Sequence, residues 1–185
     1  FKGLVTSTKA GPDLLGSSSR MLHQPVDALR VRSLIEFAAT TYHYVVLDCP
    51  RGDPTMLEAL DAASSVVVVA NQELTALRSA SRIAADLRQR CGAERVRLAL
   101  SRFDPQSDIT HSDVERVLGG VVKYVFPSDY RTSIGALNRG APLILQNHSR
   151  LASSFDQFAR DLAGLPPKPK DEGRSGLFGR FGGRK

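Results

Sequence analysis

The run from Tyr42 to Gly52, YHYVVLDCPRG, joins four apolar residues to an acidic one, and it is the stretch best suited to chemistry. Residues 44–47 lack polar alternation, which predicts a strand covered on both faces of a parallel sheet. Such a strand would deliver Asp48 to the carboxyl edge, where α/β proteins bind ligands. A carboxylate there can order the water shell of a phosphate-bound magnesium ion. The run is a Walker B candidate, and the alternative is an aspartate that only caps a turn.

A phosphate-binding loop of the form GxxxxGK[ST] does not occur in the 185 residues. Such a loop needs clustered glycines, because backbone N–H groups must approach the anion, and a lysine beside them. The sequence also begins with Phe1 rather than methionine. Two interpretations stay open: the first strand and its loop lie upstream of Phe1, or this branch has lost them.

The composition predicts one globular domain and a basic tail. The chain is 42% hydrophobic, and no apolar run approaches the ~18 to 20 residues that span a bilayer. No signal peptide opens the sequence either, so we expect a cytoplasmic protein. Of the net charge of +6, residues 165–185 carry +4 and the body +2. Cys49 and Cys91 lack a CxxC spacing and the four histidines are scattered, so neither a disulfide nor a zinc site is predicted.

The elements that must position Asp48 follow from apolar periodicity. Apolar runs predict further strands at residues 3–7, 66–70, 95–101 and 121–126. Stripes spaced three and four residues apart predict helices through residues 31–38, 77–91 and 151–162. Capping signals predict helices after Asp53, at Ser112 with Glu115, and at Ser128.

Alternating strands and helices of these lengths predict an α/β fold with a doubly wound, mostly parallel sheet flanked by helices. It would occupy residues 1–164 and precede a flexible tail over residues 165–185. The alternative for the tail is a short anchor, with arginines on anionic lipid and Phe178 and Phe181 in the interface. A solvated helix face, rather than a nucleic-acid contact, is predicted for Arg78, Arg82 and Arg90.

In order and spacing, five segments resemble MinD/ParA-type P-loop ATPases, the group with the deviant Walker A loop. They are AGPDLLGSS, YHYVVLDCPRG, ANQELTALRSASRI, SRFDPQSDIT and VFPSDYRTSIGALNRGAPL. The resemblance covers residues 3–164, which would be the C-terminal two thirds of such a protein. Within the group it is nearest to the CpaE/TadZ branch of pilus-assembly and polar-localisation proteins.

The resemblance implies a site for ATP and Mg²⁺. Asp48 would be the Walker B aspartate and would hold the metal through water, and Pro50, Arg51 and Gly52 would begin a switch loop that senses the terminal phosphate. The residues bordering the adenine base would be Ser101, Arg102, Pro127, Ser128 and Asp129. Relatives usually carry Asn in place of Ser101, and a hydroxyl offers a base edge one rotatable donor with less reach than a carboxamide. Adenine selectivity is therefore open.

The resemblance also implies a function: a nucleotide-dependent switch in pilus or secretion-system assembly and polar localisation. ATP would control homodimerisation and the binding of assembly proteins, with the tail as a contact to the inner membrane or a partner. No residue is assigned a catalytic role, and hydrolysis would require the upstream loop. One alternative is a non-catalytic scaffold. Another is a ParA-like chromosome or plasmid partitioning ATPase, but a body charge of +2 does not indicate nucleic-acid binding.

Overall fold

The computed structural model describes residues 3–16, 27–50, 60–146 and 149–167. In chain order, its strands are β1 (Thr6–Ser7), β2 (Asp13–Leu14), β3 (Val66–Ala70), β4 (Val96–Phe103) and β5 (Val122–Pro127). Its helices are α1 (Ala28–Thr41), α2 (Leu74–Cys91), α3 (His111–Leu118), α4 (Tyr130–Arg139), α5 (Leu143–Gln146) and α6 (Arg150–Leu162). Short 3-10 turns lie at Leu60–Ala62 and Ala93–Arg95.

The described residues form a parallel sheet in the order β3, β4, β5, with helices on both faces. On one face, the apolar stripes of α2 and α3 bury Leu77, Ala84 and Val114 against Leu98 and Leu100. On the other face, α6 packs its aromatic side chains on β5, and the rings of Phe158 and Tyr124 lie 4.8 Å apart. This arrangement confirms the predicted α/β class with a parallel sheet.

The helix ends differ from the predicted caps by one or two residues. α3 begins with a capping box in which Thr110 Oγ1 accepts from the Asp113 N–H at 3.2 Å, and the Asp113 carboxylate accepts from the Thr110 N–H at 3.0 Å. The predicted box at Ser112 is wrong, because Glu115 instead accepts from the Val122 N–H at 2.9 Å. Likewise Asp129, not Ser128, caps α4.

The predicted strand at residues 44–47 is not present in the structure. Residues 43–50 belong to no helix or strand, although Leu47 and Cys49 pack against the core on the α2 face. Tyr44, Val45 and Val46 are 64%, 38% and 91% exposed. A strand needs a neighbour that pairs with its backbone groups, and no described strand pairs with this segment.

The N-terminal prediction also changes. Residues 3–7 yield only β1, which pairs antiparallel with β2 in a separate hairpin and does not join the parallel sheet. The two strands pair with each other because Gly11, with φ 108°, and Pro12 turn the chain back within a few residues.

Two arginines tie the turn at residues 60–62 to the rest of the fold. Arg90 of α2 forms a two-point ion pair with Asp61, at 3.0 and 3.3 Å. Arg95 donates to the carbonyl oxygens of Asp61 and Ala63. Arg90 therefore makes a tertiary contact, in addition to lying on the solvated helix face that the sequence predicted.

The predicted helix after Asp53 falls on residues outside the described ranges until Leu60, and so does the tail beyond residue 167. Cys49 and Cys91 are not joined in a disulfide, and both are half-buried rather than fully enclosed. No helix in the described ranges combines the length and the apolarity needed to cross a membrane.

Candidate functional site

The carboxyl ends of β4 and β5 lie together at one edge of the sheet. Phe103 pairs with Pro127 in the parallel register, and the Ser128 N–H donates to the Phe103 carbonyl at 2.9 Å. The structure therefore brings the segment of Ser101 and Arg102 beside the segment of Pro127 and Ser128. That these residues border a nucleotide base remains a prediction.

Ser101 uses its hydroxyl within the sheet. Its Oγ donates to the Ala70 carbonyl at 3.1 Å, which links the ends of β4 and β3. Because the hydroxyl proton is engaged there, only the oxygen lone pairs of Ser101 are left to accept from a ligand.

Arg102 has a strained backbone and an exposed side chain. Its φ is 52°, and among the described residues it is the one non-glycine with a positive φ. The pairing of β4 with β5 shifts register between Leu100 and Phe103, which marks an irregularity at this residue. Such a conformation costs on the order of 1–3 kcal/mol and is concentrated at functional sites.

Gln72 is a residue that the sequence analysis did not single out. It follows β3, and its side-chain amide makes three hydrogen bonds to the backbone of the loop after β4, at Asp104 and Ile109. The available signal was the run of polar residues Asn71, Gln72 and Glu73 directly after four valines and an alanine. Polar residues at a strand end commonly serve a site, but the pattern does not say which loop they bind.

Asn71 holds an unsatisfied acceptor at the same edge. Its Nδ2 donates to Glu73 Oε1 at 2.7 Å, whereas its Oδ1 is buried and has no hydrogen-bond partner among the described residues. Buried polar atoms in folded proteins are nearly always paired. The orphaned oxygen therefore fits a donor that comes from a ligand or from chain outside the described ranges.

Asp129 and Asp48 differ in how their carboxylates are engaged. Hydrogen bonds from Thr132 lower the pKa of Asp129, since its carboxylate caps α4. Asp48 is exposed and makes no hydrogen bond or ion pair with any described residue, so its carboxylate is accessible to a metal-bound water. No hydrogen bond or ion pair among the described residues joins Asp48 to the edge formed by β4 and β5.

The remaining predicted site residues divide between described and undescribed positions. Pro50 is exposed at the end of the irregular segment, and Arg51 and Gly52 lie outside the described residues. Within the described ranges, no three His, Cys, Asp or Glu side chains converge as a metal-binding cluster. A magnesium ion held mainly by phosphate and water needs only one or two protein carboxylates, so the single carboxylate of Asp48 is compatible with it.

Comparison with known proteins gives several clear matches in sequence. No family model matches the chain. A protein of Nephroselmis olivacea named as a septum site-determining protein MinD is 35% identical over 141 residues, which are 72% of this chain and 50% of that protein. The chain thus spans about half the length of the curated relatives it matches.

Solved structures agree in fold. A ParA family ATPase from Chlorobium tepidum TLS superposes with a TM-score of 0.76 at 22% identity, over 85% of this chain and 68% of that one. The septum site-determining protein MinD of Pyrococcus horikoshii OT3, complexed with Mg-ADP, gives 0.62 at 21% identity, over 74% and 56%. These identities show the fold alone. Together with the matches in sequence, they show that the chain is similar in sequence and in fold to MinD/ParA-type P-loop ATPases.

Proposed function

We propose that the chain binds ATP with Mg²⁺ at the carboxyl edge of its sheet, and that the nucleotide state controls its association with a second copy and with partners. The observation that carries this proposal is the junction of the β4 and β5 ends, where the Ser128 N–H meets the Phe103 carbonyl at 2.9 Å beside the strained Arg102. Ligands of open α/β sheets bind beyond such strand ends.

The residues present fit the nucleotide and the metal. Arg102 offers an exposed planar cation to a base, and Ser101 offers an acceptor. Asp48 has an accessible carboxylate that would order water on the metal, and Pro50 begins the proposed switch loop. The bound ATP–magnesium complex would supply a terminal phosphate whose departure changes the contacts available to that loop.

The open edge of β3 supports a place for the phosphate-binding strand. No described strand pairs with that edge. Val69 of β3 is 57% exposed, and Val46 of the irregular run before Asp48 is 91% exposed. An apolar parallel strand with unpaired backbone groups is normally covered on both sides. A strand that carries a phosphate-binding loop would pair with this edge.

A titration with a fluorescent ATP analogue and Mg²⁺ tests the proposal. The 185-residue chain should show weak but saturable binding, because it holds the proposed base and metal contacts without a phosphate-binding loop. Asp48→Ala should weaken this binding about tenfold, as expected when one charge-assisted contact is lost. Asp86→Ala, on the exposed face of α2, is the matched control. Equal affinities for Asp48→Ala and Asp86→Ala would remove Asp48 from the site, and absence of saturable binding by the natural sequence would favour the scaffold alternative.

For the cellular role, we propose nucleotide-controlled assembly of a pilus or secretion system, on the strength of the five segments that resemble the CpaE/TadZ branch. The second candidate is a role in partitioning, which the fold shared with a ParA family ATPase favours. DNA binding separates the two. A partitioning protein should retain duplex DNA with an affinity that falls steeply as salt rises, whereas a body charge of +2 predicts little retention.

A further inference from the structure

Gln72 fastens the loop that follows β4 to the end of β3. Its Oε1 accepts from the Asp104 N–H at 2.7 Å, and its Nε2 donates to the Asp104 carbonyl at 3.2 Å and to the Ile109 carbonyl at 2.6 Å. Both backbone groups of Asp104 are thus paired with one side-chain amide. Gln72 is half-buried, so water competes less for these bonds than at an exposed side chain.

A second link joins the same two strand ends on the other side of Arg102. Ser101 Oγ donates to the Ala70 carbonyl at 3.1 Å. Arg102 therefore lies between two residues that are each fixed to the end of β3, one through its side chain and the other, Asp104, through its backbone. A left-handed conformation of a residue with a Cβ persists only where its surroundings over-determine it, and these two links provide that constraint.

The conformation decides where the arginine side chain goes. In an unbroken strand, alternation would place Arg102 on the same face as Leu98 and Leu100, both of which are buried under the helices. The register shift before Phe103 breaks that alternation, and Arg102 is exposed at the carboxyl edge instead. A cation that would otherwise face the core is redirected to the site.

We propose that Gln72 is a positioning residue for the nucleotide site. It holds Arg102 in the left-handed conformation and so fixes the point at which the guanidinium meets the base of the ligand, where a planar cation stacks on an aromatic ring. This inference rests on the proposed function, since it takes the ligand of this edge to be a nucleotide.

A thermal unfolding cycle tests whether Gln72 holds Arg102. Arg102→Gly removes the Cβ that makes a φ of 52° unfavourable, and it should raise the melting temperature by about 2–4 °C. Gln72→Met keeps the side-chain length and removes all three hydrogen bonds. In the Gln72→Met background the backbone can relax, so Arg102→Gly should gain about half that shift or less. An equal gain in both backgrounds would overturn the inference.

Binding of the fluorescent ATP analogue with Mg²⁺ tests the consequence for the ligand. Arg102→Gly should weaken binding about tenfold while the protein melts no lower, a combination that a merely structural role would not produce. Gln72→Met should weaken binding to a similar extent, and the double variant should bind no more weakly than the single ones. Gln89→Met, on an exposed position of α2, is the control and should bind as the natural sequence does.

The outcomes separate the two proposals. If Arg102→Gly weakens binding and Gln72→Met does not, the nucleotide site stands and the positioning role of Gln72 is wrong. If the natural sequence shows no saturable binding, the proposed function is wrong, and the thermal cycle alone then decides whether Gln72 constrains Arg102.

Discussion

The sheet region, residues 66–162, and the N-terminal region, residues 3–50, contain similar apolar runs but differ in how far these runs are buried. In the sheet region, Val68, Leu98 and Leu100 are at most 7% exposed, because each strand has a neighbour and a helix above it. In the N-terminal region, Leu4 and Val46 are 67% and 91% exposed. The difference shows that an apolar run becomes a buried strand only where a partner strand is present to pair with it.

The largest expected effect is the difference in stability cost between one side-chain truncation in the sheet region and one in the N-terminal region. Leu100→Ala removes a fully buried side chain and should lower the free energy of unfolding by about 2–5 kcal/mol. Val46→Ala, in the exposed run, should change it by less than about 0.5 kcal/mol. Urea unfolding followed by circular dichroism measures both values. A large cost at Val46 would mean that this run is covered in solution.

The next largest effect is expected from removing the hydrogen bonds of Arg95, which hold the turn at residues 60–62 to the sheet region. Arg95→Met removes the donor that serves the carbonyls of Asp61 and Ala63, and should destabilise the protein by about 1–3 kcal/mol because those acceptors lose a charged partner. Hydrogen exchange should increase in the turn at residues 60–62 more than in β4. Equal increases in both would show that Arg95 stabilises the sheet rather than the link.

Removing the N-terminal cap of α3 or of α1 should destabilise the protein by smaller amounts, and the loss at α3 should cost more. Thr110→Ala breaks the capping box of α3, whose Val114 and Leu118 lie in the core, and should cost about 1–2 kcal/mol in global unfolding. Asp27→Ala removes the bond to the Leu29 N–H at the start of α1 and should cost about 0.5–1 kcal/mol, since α1 is less buried. Similar costs for the two caps, measured in urea, would mean that α1 unfolds together with the sheet.

The smallest effect is expected on acidification, which protonates Asp161 at the C-terminal end of α6. Hydrogen bonds from Lys123 and Tyr124 lower the pKa of Asp161, so its ionised form stabilises the fold above its ordinary pKa, and this contribution is lost as the pH falls through the lowered value. The Asp161→Asn variant should therefore melt lower near neutral pH and lose less on acidification below about pH 4.

The side chains of Lys123 and Asp161 are 55% and 32% exposed, so solvent screening keeps this acid effect small. Asp86→Asn, on the exposed face of α2, is the matched control. A melting curve for Asp161→Asn that follows the natural protein at every pH would show that the ion pair contributes nothing.

Local pattern predicted most of the sheet region correctly. Strands at residues 66–70, 95–101 and 121–126 appear within two residues of their expected places, and the apolar stripe predicted for α2 faces the core. Each depends on apolar spacing inside one segment. Caps were less certain because Thr110 and Ser112 both precede an acidic residue by three positions. Which of them caps α3 depends on Val122, whose N–H engages Glu115.

The site was predictable only in part. The neighbouring strand ends at Ser101 and Ser128 were expected from the family resemblance, and the structure places these ends together, whereas the nucleotide contacts of both residues, and the role of Asp48, remain predictions. Gln72 was missed because its partners lie 32 and 37 residues away in the sequence. No local periodicity encodes a hydrogen bond over such a separation.

The sequence by itself determined the three strands and the longer helices of residues 66–162, because burial of an apolar face is encoded in the spacing of side chains along one element. Only the tertiary structure decided that Arg102 takes a left-handed backbone, that Gln72 spans to the loop after β4, and that the run before Asp48 is not a strand. Each of these depends on hydrogen-bond partners supplied, or not supplied, by distant chain.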